Sequence, residues 1–129
     1  MLERLEILPL TSPREMVRAA GEHDILWGAQ PSHELFHQLA IGNKVFTGMM
    51  AGLALFLTDT IAHRRLLDEA PGCGVMLKRG DPGLLAGNLN RILANPAALA
   101  EMQLRSWESA EQRFNWESES KTLLKAVQD

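Results

Sequence analysis

Residues 43–58 read Asn-Lys-Val-Phe-Thr-Gly-Met-Met-Ala-Gly-Leu-Ala-Leu-Phe-Leu-Thr, and this stretch decides the fold class. Its first half, Asn43 to Met50, reads as a helix that stops at Gly52, a residue suited to the left-handed turn that ends helices. Its second half, Ala54 to Thr58, is a continuous apolar run with no polar alternation. Such a run fits a strand covered on both faces, although periodicity alone leaves a buried helix open.

Working outward, Leu5–Leu8, Asp24–Gly28 and Gly74–Leu77 are further brief, mainly apolar runs, each followed within three residues by Pro or Gly. Helical patterns lie between them, and this alternation signals β-α-β units. The expected class is therefore α/β: one domain over residues 1–129, with a parallel sheet of about four strands and flanking helices. Helix starts are marked by Thr11-Ser12-Pro13 with Glu15, by Asn43, Thr60, Asp81-Pro82, Asn95-Pro96 and Asn115. Leu85, Leu89, Ile92 and Leu93 form a stripe at helical spacing, and Leu99, Met102, Ala110 and Phe114 continue one face of the next helix. Leu123, Leu124 and Val127 mark a terminal helix.

Of 129 residues, 46% are hydrophobic and 22% charged, which is the range of a globular domain. A formal net charge of -3 gives no pull toward a phosphate polymer, so nucleic acid is not an expected partner. Cys73 is the only cysteine, which rules out an internal disulfide and suits a cytoplasmic location. The first residues carry acids where a signal peptide needs a basic patch, and no segment approaches the roughly 20 apolar residues of a membrane span.

Three stretches carry a resemblance. Asn43-Lys-Val-Phe-Thr-Gly-Met-Met-Ala-Gly-Leu-Ala-Leu, Lys78-Arg-Gly-Asp-Pro and Arg113-Phe-Asn-Trp-Glu resemble, in order and spacing, segments of group-1 GT-B glycosyltransferases. The likeness runs from about Leu5 to Leu124 and implies the second half of the nucleotide-sugar-binding, Rossmann-like domain. In that family the first segment opens the helix beside the donor, which places donor and phosphate contacts at Gly42, Asn43, Lys44 and Thr47. The chemistry is sound on its own terms: a helix N-terminus offers free N–H groups and partial positive charge to a phosphate, and Lys44 adds a full charge. Stabilising the departing nucleoside diphosphate lowers the transfer barrier. The resemblance implies neither a bound metal nor another cofactor. The plainer reading is that Asn43 caps a helix and Lys44 is a solvated first-turn residue.

The chain departs from the family pattern in two ways. The family's ribose-binding Glu is replaced by Thr47, a shorter, neutral acceptor, and a second Glu by Leu39, with Glu34 too far upstream to substitute. The resemblance also implies an acceptor domain and two opening strands ahead of Leu5, which leaves a one-walled pocket, no catalytic residue and no expected turnover. Without those strands, Asp24–Gly28 becomes an exposed edge, which either pairs directly with the first strand or borrows cover from another copy; a homodimer, with or without exchanged elements, is the favoured outcome. The alternative to a donor-binding half-domain is a non-catalytic, self-associating module.

Other candidates read as structural. His33 and His37 share a helical face but lack a third metal ligand, since Glu34 would point elsewhere on such a helix. His23 beside Asp24 diverges at a strand entrance. His63, Arg64 and Arg65 read as a solvated helix face, and Lys78 with Arg79 as a surface turn. Ser12 and Ser32 lack a nucleophile's context, and Cys73 lacks a basic neighbour. Met49, Met50, Met76 and Met102 read as core filler, and Trp107 and Trp116 as pins for the last helices.

Overall fold

The computed structural model describes residues 5–31, 33–78 and 80–128. In chain order the elements are α1 (Pro13–Ala20), β1 (Ile25–Gly28), α2 (Leu35–Leu39), α3 (Asn43–Met50), β2 (Ala54–Thr58), α4 (Ile61–Glu69), β3 (Gly74–Leu77), α5 (Pro82–Leu93), α6 (Pro96–Gln112) and α7 (Trp116–Gln128). Most helices begin where local capping chemistry dictates. Ser12 and Glu15 form a reciprocal capping box on α1. Thr60, Asp81 and Asn95 each accept the backbone N–H three residues on, and Asn115 does the same for Ser118. At α3 the expectation fails: Gly42 occupies the cap position and Asn43 is the first helical residue. The Asn43 side chain therefore caps nothing there, while Gly52 supplies the positive φ of 71° that turns the chain into β2.

The sheet is parallel and three-stranded, in the order β1-β2-β3. It lacks the fourth strand: Leu5–Leu8 is irregular, with Leu5, Ile7 and Leu8 all exposed. A strand exists only where a partner completes its hydrogen bonds, and this apolar run has none among the described residues. β1 is consequently an edge, as expected, and Trp27 on it is 51% exposed.

β2 is buried along its whole length. Its side chains alternate between two cores, as the two-residue repeat of a strand requires. Leu55 and Leu57, with Leu26 of β1 and Met76 of β3, meet Val45 and Met49 of α3 and Leu66 of α4. Phe56, with Ile25, Val75 and Leu77, meets Leu85, Leu89 and Ile92 of α5 and Leu99 and Met102 of α6. Of these, Leu55, Phe56, Leu57, Met49 and Leu66 are wholly buried, and full burial of such a side chain contributes about 1.5–3 kcal/mol.

The long helix α6 joins both layers by passing beneath the amino ends of all three strands. Gln103 Nε2 donates to the Asp24 carbonyl ahead of β1 at 3.3 Å. Trp107 lies against Gly52 ahead of β2, and Ser109 Oγ lies 3.4 Å from Cys73 Sγ ahead of β3. The face expected to be continuous is thus divided: Leu99 and Met102 serve one core, Ala110 and Phe114 the other.

Several side chains assigned to packing lie outside. Leu93 and Met50 are exposed, each directly after a buried residue and so turned about 100° round its helix from it, and Trp107 and Trp116 are exposed as well. Phe114, packed against the core and 6.1 Å from the Phe46 ring, holds the α6–α7 corner in place of the tryptophans. α7 buries no residue, which leaves Leu123, Leu124 and Val127 on the surface. Among the described residues no helix is long and apolar enough to cross a membrane.

Two glycines on contrasting surfaces test the packing. A methyl group on Gly74 would sit 2.1 Å from the Leu55 carbonyl oxygen, whereas one on Gly87 meets no atom within 4 Å. Gly74→Ala is expected to cost about 3 kcal/mol. Gly87→Ala, in the α5 interior, is expected to add about 0.5–1 kcal/mol. Urea midpoints at unchanged slope measure both.

Candidate functional site

Because α6 closes the amino end of the sheet, its open end is the carboxyl end, where parallel α/β sheets present ligand crevices. A cavity of about 230 Å³ lies there, on the α5 side of the sheet. Trp27 and Ala29 from the end of β1, Thr58 from β2, and Lys78, Asp81 and Leu85 around the start of α5 line it. On the other side of the sheet the first turn of α3 begins at Gly42, which brings no capping side chain, and among the described residues none is seen on its N–H groups. α1, α4, α5 and α6 each spend a capping side chain on theirs.

The four residues singled out by sequence behave differently from one another. Gly42 is open: a methyl group there would meet only Lys44 Cγ, at 3.9 Å. Asn43 is exposed. Lys44 reaches out of the helix, and its Nζ donates to the Ala29 carbonyl at 2.9 Å, so it is tied to the end of β1 rather than simply solvated. Thr47 Oγ1 donates to the Asn43 carbonyl at 3.2 Å within the helix, which leaves its oxygen lone pairs as acceptors. Leu39 is exposed at the end of α2.

Residues the sequence did not flag hold this end together. Thr58 Oγ1 accepts from the Gln30 N–H at 2.9 Å, and the Thr58 carbonyl bonds His63 Nδ1 at 2.8 Å. Gln30 Nε2 in turn donates to the His37 and Ala40 carbonyls at 3.0 and 3.3 Å. The last residue of the central strand therefore fixes the loop that delivers Gly42. The one local sign was a hydroxyl ending an apolar run.

His63 corrects an expectation. It is fully buried rather than on a solvated face, and among the described residues its Nε2 has no partner. Arg64 is exposed but committed, with Nε and a terminal nitrogen on the two Asp59 oxygens at 2.5 and 2.8 Å. That fork holds the Asp59 carboxyl below the usual carboxylate range.

His33 lies ahead of α2, so it does not share a helical face with His37. Glu34, expected to point away, places its carboxylate 3.7 Å from His33 and 3.4 Å from His37. Among the described residues no group of three His, Cys, Asp or Glu is arranged to hold a metal ion. Cys73 is buried, and burial pushes its thiol pKa up, which disfavours the reactive thiolate. Lys78 is exposed at the crevice, while Ser32 and Arg79 lie outside the described residues.

Comparison with protein-family models, curated proteins and solved structures finds no match for this chain.

Acid titration tests the Asp59–Arg64 pair. Its folded-state pKa is lowered, so the stabilisation is complete above the unfolded value of about 3.9 and is lost as pH falls through the folded value. Asp59→Asn is expected to lower stability at neutral pH and to converge with the parent chain under strong acid. Urea melts across the acid range would show a constant gap if the pair contributed nothing.

Proposed function

We propose that this chain is a donor-binding half-domain of the GT-B glycosyltransferase type, which takes the diphosphate of a nucleotide sugar at the start of α3 and performs no transfer alone. The observation that carries this reading is the uncapped first turn of α3, standing with Lys44 at the open carboxyl end of a parallel sheet. Uncapped N–H groups and the helix dipole favour an anion there. An ammonium has three donors, so Lys44 can keep its bond to Ala29 and still donate to a phosphate oxygen. Thr47, with its proton used inside the helix, is left to accept from a ribose hydroxyl more weakly than a carboxylate would. The crevice beside Trp27 and Thr58 opens at the same end of the sheet and meets the α3 site at Ala29, whose carbonyl Lys44 holds. A second wall, from an acceptor domain, would be needed for transfer. No metal or other cofactor enters this reading, and a cytoplasmic site of action belongs to it.

A second reading rests on a different observation: the free edge of β1, with half-exposed Trp27, and the exposed apolar side chains of Leu5, Ile7, Leu8 and Leu10. Free edges recruit strands, so the chain would serve as a self-associating module, a homodimer joined through that edge.

Calorimetry with uridine and guanosine diphosphate-sugars separates the two. The first reading expects saturable heat, weakened about tenfold by Lys44→Ala through loss of a charge-assisted contact, and no nucleotide release above a heat-killed control. No heat at millimolar ligand, together with a dimer in sedimentation, supports the second.

A further inference from the structure

A larger cavity, of about 650 Å³, lies on the far side of α3, between that helix, the end of α4 and the α6–α7 corner. Its volume falls within the range that holds small organic molecules. The walls are apolar and aromatic: Phe46 and Met50 from α3, Phe114 and Trp116 from the corner. The rim is acidic, with Glu69, Glu117 and Glu119 against the single guanidinium of Arg113.

The corner is already formed. Asn115 Nδ2 donates to the Ala110 and Glu111 carbonyls at 3.0 and 2.8 Å, and Asn115 Oδ1 accepts from the Ser118 N–H at 2.8 Å. These bonds fix Trp116 and Glu117 at the first turn of α7, so little ordering would be required of the site on binding.

Arg113 shows what chemistry the walls accept. Its guanidinium stands 5.3 Å from the centre of the Phe114 ring, hydrogen-bonds Glu119, and lies 3.7 Å from Glu69. One cation thus already uses an aromatic face and two carboxylates. Two negative charges remain uncompensated at the rim, and among the described residues the Glu117 carboxylate makes no ion pair or hydrogen bond. The neighbouring Trp116 is 69% exposed, and indole is the best of the aromatic faces for a cation.

We infer that this cavity binds a small organic cation, an amine or quaternary ammonium with an apolar body, seated on Trp116 and Phe46 and neutralised by Glu117 and Glu69. Apolar walls alone would take a neutral ligand as readily. It is the carboxylate excess that selects a positive one. This site is separate from the start of α3 and stands whether or not a nucleotide binds there.

The chain has three tryptophans and no tyrosine, so replacing Trp27 and Trp107 by Phe leaves Trp116 as the only reporter of emission in the ordinary protein window. Both replaced rings are half exposed. Benzyltrimethylammonium is expected to change Trp116 emission saturably, and benzyl alcohol, its neutral counterpart, to give no saturation. Glu69→Gln with Glu117→Gln should weaken binding about tenfold, and high salt should weaken it too. In the parent chain, calorimetry should register heat that Trp116→Leu abolishes while the far-ultraviolet dichroism stays the same. Absence of saturation up to about 50 mM, a limit well above the weak millimolar range, overturns the inference. Equal binding of the alcohol overturns it as well, as does indifference to both glutamine substitutions.

Discussion

β2 is the constraint on which the remainder depends. It alone has a strand on each side and a helical layer over each face, so every residue from Ala54 to Thr58 is removed from water. A strand so enclosed has no polar position to spare until its last residue. Its alternating side chains define two separate cores, and the helices are placed by which core they complete. α6 completes both by crossing under the amino ends of the strands, anchored near Asp24, Gly52 and Cys73 in turn. Closing that end with a helix leaves the carboxyl end as the face available for chemistry.

At that face the protein spends its few buried polar bonds on position rather than on reaction. Thr58 holds Gln30 through its hydroxyl and His63 through its carbonyl, and Gln30 holds the loop leading to Gly42. Lys44 closes the circuit by binding the Ala29 carbonyl. A loop pinned from both ends can present backbone N–H groups without a capping side chain competing for them. This is the physical basis for reading the start of α3 as an anion site.

The two sides of β1 differ in a way that bears on assembly. One side is paired to β2 in register, and the other is bare, while the apolar Leu5–Leu8 run stays irregular. Both are unpaired backbone with apolar side chains in water, a combination that favours association through strand addition. The α6–α7 corner is the opposite case: it is saturated with hydrogen bonds, and its exposed groups are aromatic rings and carboxylates, suited to a small ligand rather than to a strand.

The sequence by itself determined the α/β class, the strands at 54–58 and 74–77, the core of the strand called at 24–28, and the starts of α1, α4, α5, α6 and α7. It could do so because a cap such as Ser12 with Glu15, or Asp81 with Pro82, acts within three or four residues, and because an unbroken apolar run such as Ala54–Leu57 has no polar face to leave in water. Only the tertiary structure decided what depends on distant partners. Leu5–Leu8 has strand composition yet no strand to pair with, His63 is buried because its ring reaches the Thr58 carbonyl, and Trp107 and Trp116 stay outside while Phe114 fills their expected place. The bond from the Lys44 ammonium to the Ala29 carbonyl, fifteen residues earlier, likewise exists only because the fold brings the end of β1 beside α3. Such facts are set by which surfaces meet, and no local pattern of residues encodes that.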